Sequence, residues 1–213
     1  MSATGEEVAR LKSEYARLKA GIDVRLAEFR ALWDSADDAT IFRELVFCLF
    51  TPQSKARSCW AAVERVCDCD LLLKGSAEEI SEKMSGVRFH HTKARRAVEA
   101  RKYTPGFKNR IAAFPSPFEA REWLVANVSG MSYKEASHFL RNIGMGGELA
   151  ILDRHILRNL VRLGVITEMP KSLSPKKYLE IEASMPAFSE DIGIPLAHLD
   201  MLLWHRETGE IFK

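Results

Sequence analysis

VSGMSYKEASHFLRNIG, residues 128–144, contains a break and a restart of helical spacing. Leu124 and Val125 end one apolar pattern, Gly130 sits in a break of four to five residues, and Ala136, Phe139, Leu140 and Ile143 resume the pattern at once. The stretch predicts two helices joined by a tight turn. Glycine in that turn supplies a positive φ and lets a large partner approach the backbone. The unpaired N–H groups that open the second helix carry partial positive charge, for which phosphate is a natural ligand. An ordinary helical hairpin has the same spacing.

On either side of this hairpin almost everything reads as helix. Val8, Leu11, Tyr15, Leu18, Ile22, Leu26, Phe29 and Trp33 recur at steps of three and four, which keeps one helix face apolar. Asp37 or Asp38 can cap a second helix through TIFRELVFCLF (40–50), closed by Thr51-Pro52, and Ser54 is placed to begin a third with Trp60 and Val63. Ser76 with Glu79 forms a capping box. A basic helix from about His91 ends near the Pro105-Gly106 turn, and Ser116 before Pro117 opens FEAREWLVANV (118–128). Asp153 caps RHILRNLVRL (154–163), Gly164 ends it, and Ser174-Pro175 and the stretch near Pro195 open the last two helices. Strand alternation never persists beyond a few residues, so the expected fold class is all-α.

At 213 residues, with 46% hydrophobic and 28% charged side chains, the chain has ordinary globular composition, which excludes disordered and fibrous classes. Apolar runs such as LVFCLF (45–50) fall far short of the roughly 18 residues of a membrane span, and MSATGEEVARLK lacks a hydrophobic signal core. A cytoplasmic, nucleoid-associated protein with no membrane partner is expected. Cys48, Cys59, Cys67 and Cys69 read as reduced, mostly buried thiols. The single residue between Cys67 and Cys69 is too few for the usual zinc knuckle, and no metal site is expected. Net charge is only +2, yet residues 88–110 hold eight Lys or Arg against the one acid Glu99. Such a patch neutralises phosphates or simply solvates a helix face.

VSGMSYKEA (128–136) resembles the helix-hairpin-helix turn of base-excision DNA glycosylases, whose pattern runs apolar, Pro, Gly, apolar, Gly, any, Lys. Gly130 matches the first glycine, Ser132 stands where the second does, and Lys134 falls on the catalytic lysine. ILDRHIL (151–157) supplies the matching aspartate and histidine: Asp153 follows Lys134 by nineteen positions, and His155 lies two further on. With KEASHFLRNIG (134–144) and a WxxxxGxxxK stretch from Trp204 to Lys213, the chain is similar to the second, archaeal and bacterial, group of 8-oxoguanine DNA glycosylase/lyases over most of residues 40–213. Ser132 in place of glycine requires a turn that tolerates a side chain. The four-cysteine cluster of the iron–sulfur relatives is missing from the sequence, so no iron–sulfur cluster and no required cofactor is expected.

The resemblance implies a two-lobed fold: a helical barrel at 38–150 ending in the hairpin, and a second helical domain from 1–37 with 151–213. It implies a monomer acting on damaged double-stranded DNA, with Lys134 as nucleophile on C1′ and Asp153 stabilising the cationic sugar. Attack requires a neutral amine, which a helix start and desolvation by DNA both favour. Trp204 and Phe89 would stack on the extruded purine. Asp200, one turn before Trp204, and Lys213, through its terminal carboxylate, would accept its N–H groups. Gly130, Ser132, Arg154, His155, Arg95 and Arg96 would grip the DNA backbone, Gln53 would fill the gap left by the base, and the hairpin carbonyls could hold a monovalent cation. His138 is expected to be a structural or surface histidine. Competing expectations are a glycosylase for another damaged base and a non-catalytic helical DNA-binding protein, which would need neither Lys134 nor Asp153. A helical scaffold would leave the 88–110 patch unexplained.

Overall fold

The computed structural model describes residues 3–213, so the first two residues of the expected second domain lie outside it. Among the described residues the elements are helical: α1 (Ala3–Ser35), α2 (Asp38–Phe50), α3 (Ala56–Asp68), α4 (Leu71–Lys74), α5 (Ala77–Glu82), α6 (His90–Ala100), α7 (Phe107–Ala112), α8 (Pro117–Asn127), α9 (Tyr133–Asn142), α10 (Arg154–Arg162), α11 (Pro175–Ile192) and α12 (Leu196–Thr208). The all-α expectation holds.

Local chemistry sets most helix starts. Asp37 accepts the Thr40 N–H, Ser76 and Glu79 complete the capping box, and Ser116 and Ser174 cap helices that begin with proline. Ser54 departs from expectation. The third helix begins at Ala56, and the Ser54 hydroxyl instead accepts from the Arg88 N–H and the Lys93 ammonium. The basic helix starts at His90, preceded by Phe89 in a left-handed conformation, φ 57°.

Buried apolar side chains form two clusters. The first runs from Ile41 to Leu149 and is closed by Leu32 and Trp33 of α1. The second joins Leu11, Ile22, Leu26 and Phe29 of α1 to residues of α10, α11 and α12. Helix α1 therefore lends its N-terminal part to one core and its C-terminal end to the other. Gly144, φ 81°, makes this approach possible: a Cβ there would fall 2.8 Å from the Phe29 carbonyl oxygen and the Arg30 Cα. Arg121 of α8 spans the clusters, donating to both carboxylate oxygens of Glu182 in α11 at 2.5 and 2.7 Å. Glu182 also accepts the Ala150 N–H at 2.9 Å, and both partners of the ion pair are buried.

Candidate active site

The hairpin loop leaves α8 at Val128 and turns through Gly130, φ 87°, with the Met131 N–H donating to the Val128 carbonyl at 3.1 Å. Ser132 occupies the N-cap of α9, but its hydroxyl donates to the Glu135 carboxylate rather than capping an amide. Ser132 is thus accommodated in the place of a glycine, and its side chain takes none of the amides that open the helix. Arg96 lies across the loop: a Cβ on Gly130 would meet its Cδ at 2.5 Å. The hairpin and α6 consequently form one surface, with Arg95 exposed beside it.

Lys134 sits in the first turn of α9, its side chain 18% exposed. Its Nζ donates to the Thr51 hydroxyl at 3.3 Å and lies 3.6 Å from the Glu135 carboxylate. Asp153 is the N-cap of α10, and one oxygen, Oδ1, accepts both the His155 and Ile156 N–H groups at 2.8 and 2.9 Å. The cap therefore occupies only one carboxylate oxygen. Asp200 of α12 is buried and accepts from Arg141 at 3.0 Å. Burial pushes its carboxyl up to about 6 against the pull of Arg141, and the charges of Asp153 and Lys134 both reach it. The starts of α9 and α10 and the middle of α12 thus bring one amine and two carboxyl groups together.

Around them, His155 stands edge-on to Trp204 with ring centroids 5.4 Å apart, and its Nδ1 is 3.5 Å from Glu207. Trp204 is half-buried and Arg154 exposed. Phe89 is 56% exposed, with the Arg88 guanidinium 5.4 Å from its ring. Gln53 is also exposed and left-handed, φ 55°. The 210–213 segment docks on the first cluster: Glu210 accepts from Arg57 at 2.7 Å, Phe212 meets Phe47 edge-on, and the Lys213 ammonium pairs with buried Glu44 while lying 3.9 Å from the Trp60 ring centroid.

One sequence reading needs revision and another is narrowed. The 88–110 patch is narrower than its charge count, because three of its cations turn inward. Lys93 is 2% exposed and donates to the Phe50 and Pro52 carbonyls at 2.7 and 2.6 Å, with burial lowering its amine to about 8. Arg101 bonds the Leu71 and Leu72 carbonyls, and Lys108 bonds those of Asp34 and Ala36. Of the two readings of His138, structural or surface, burial supports the structural one. It lies buried one turn after Lys134, and burial keeps the imidazole well below its usual range against the pull of a hydrogen bond to the Lys213 backbone. Its i+4 spacing from Lys134 is the signal that places it beside the amine.

An amine at one helix start and a capping carboxylate at another, both acting on buried Asp200, beside the basic α6, are equipped for attack on an electrophilic sugar carbon next to phosphates. Residues 22–194 match the family model described as 8-oxoguanine DNA glycosylase. Among curated relatives, the 8-oxoguanine DNA glycosylase/AP lyase of Fusobacterium nucleatum is 47% identical, covering 93% of this chain and 94% of its own. That of Korarchaeum cryptofilum is 41% identical, covering 97% and 96%. The Methanocaldococcus jannaschii 8-oxoguanine glycosylase/lyase, solved with a 15mer DNA containing 8-oxoguanine, superposes with a TM-score of 0.89 at 35% identity over 97% of this chain and 99% of the other.

Proposed function

Because this chain belongs to the 8-oxoguanine DNA glycosylase family, we propose that its reaction runs through Lys134 and Asp153 at the starts of α9 and α10. The protein is a DNA glycosylase and AP lyase that removes 8-oxoguanine from DNA and cleaves the strand at the resulting site. Opposite cytosine this lesion hardly distorts the duplex, so the base is extruded before any bond breaks. Arg95, Arg96, Arg154, His155 and the hairpin backbone at Gly130 and Ser132 hold the flanking phosphates, and Gln53 enters the vacated stack. Trp204 and Phe89 take the two faces of the purine. Asp200 and Lys213 meet its edge, Lys213 through its main chain, since its ammonium is committed to Glu44.

The neutral amine of Lys134 attacks C1′ as the bond from C1′ to the base nitrogen breaks, and Asp153 stabilises the positive charge that develops on the sugar. Opening of the sugar ring gives a Schiff base between Nζ and C1′. Loss of a C2′ proton then expels the 3′ phosphate by β-elimination. No cofactor enters these steps. A monovalent cation at the hairpin carbonyls would share the loop with Arg96, whose guanidinium already crosses Gly130, and no step depends on it. The enzyme acts as a monomer on nucleoid DNA in the cytoplasm. No helix among the described residues is long and apolar enough to cross a membrane.

The observation that supports these roles is that Lys134 and Asp153, at the starts of α9 and α10, both act on buried Asp200, with Arg96 laid across the hairpin that precedes Lys134. Borohydride trapping on an 8-oxoguanine duplex tests it, because it reports lesion, nucleophile and Schiff base together. The parent is expected to give a stable covalent complex. Lys134→Gln, which keeps a polar hydrogen-bonding side chain without the amine, should bind the duplex yet release no base and trap none. Normal trapping by that variant would put the nucleophile elsewhere.

A further inference from the structure

Thr51 closes α2 and is 7% exposed. Its hydroxyl hydrogen is committed, donated to the Cys48 carbonyl at 2.8 Å, so toward Lys134 the oxygen is an acceptor only. Lys134 donates to that acceptor across 3.3 Å. The turn that carries Thr51 is itself fixed from below. Lys93 reaches in from α6 and donates to the carbonyls of Phe50 and Pro52 and to the Ser54 hydroxyl, at 2.7, 2.6 and 3.1 Å. Three acceptors spread over residues 50–54 gather on one buried side chain. A surface role for Lys93 is thereby excluded, and so is free movement of the turn.

We propose that Thr51 is the positioning residue of the nucleophile and that Lys93 holds the turn that presents it. A lysine side chain has four rotatable bonds and about 2 kcal/mol of rotamer entropy, so its amine needs a fixed partner to be found in one place. When the neutral amine donates one hydrogen to Thr51, its lone pair points away from Thr51. Without the hydroxyl, the Glu135 carboxylate at 3.6 Å remains, a partner on the same helix that ties the amine to nothing outside α9. This inference rests on Lys134 being the nucleophile, and the experiment separates the two.

The measurement is the single-turnover rate of borohydride trapping on a duplex with a preformed abasic site, with duplex affinity measured alongside. Thr51→Val keeps the shape and deletes the acceptor; it should trap about tenfold more slowly, roughly the worth of one hydrogen bond, with affinity unchanged. Thr51→Ser keeps the acceptor and deletes a methyl group; it should trap at nearly the parent rate. A packing role reverses that order, because valine fills the site and serine leaves a cavity. Parent-like trapping by Thr51→Val, or equal loss in Thr51→Ser, overturns the proposal. Lys93→Met, checked for folding by its melting curve, should slow trapping in the same direction; a folded variant with the parent rate removes Lys93 from the assignment, and if it does not fold the Thr51 pair still decides. Lys134→Gln serves as control, since trapping there would remove the nucleophile reading itself.

Discussion

Capping a helix and stabilising a cationic sugar ask different things of one carboxylate, and in the proposed mechanism Asp153 has an oxygen for each. Its Oδ1 accepts two amides of α10, a contribution that asparagine reproduces almost fully. Charge is what asparagine lacks. Asp153→Asn should therefore melt within about 1 kcal/mol of the parent and bind duplex with similar affinity. Its single-turnover base release should fall about a hundredfold. A rate within twofold of the parent would leave Asp153 only its cap. The same division explains what a sequence can disclose at this scale. Asp153 announces itself because an acid before an apolar helical pattern is a local signal. Thr51 does not, because its meaning depends on an amine that arrives from Lys134, more than eighty positions later.

Helix α6 illustrates the limit at the scale of elements. Its existence and its position before the Pro105-Gly106 turn follow from composition and spacing, as do the starts of α2, α5, α8, α10 and α11 from their caps. Which of its cations meets phosphate does not follow, because Lys93 and Arg95 are alike in local sequence. Burial separates them: the Phe50–Ser54 turn supplies Lys93 with acceptors, while Arg95 stays in solvent. Ser54 is misread for the same reason, since it serves that lysine instead of starting a helix. The arginines of α6 that are not buried are Arg95 and Arg96, the two proposed to grip DNA. Replacing both with alanine should reduce the slope of log K against log salt by about 0.9 for each phosphate that is no longer neutralised, measured by fluorescence anisotropy from low to moderate salt. A slope equal to the parent's would return this face of α6 to solvent.

For the molecule as a whole, the buried pair of Arg121 and Glu182 ties the two apolar clusters together. Removing one partner strands a buried charge, so Arg121→Met should lower unfolding stability by about 3–5 kcal/mol in urea titration. Arg121→Met with Glu182→Gln should recover part of that loss, because glutamine is neutral and still accepts from the Ala150 N–H. No recovery in the double variant would mean that the loss comes from packing around Arg121. The clusters also differ in how the chain reaches them. The first is nearly contiguous, from Ile41 to Leu149, whereas the second needs α1 to meet α10, α11 and α12 across well over a hundred residues. Closing so long a loop has an entropic cost that only the later contacts repay. During synthesis the contiguous core can condense while the ribosome is still making the C-terminal helices, and the apolar stripe of α1 stays bare until they emerge. For that interval α1 carries bare apolar surface, the kind that invites misplaced contacts.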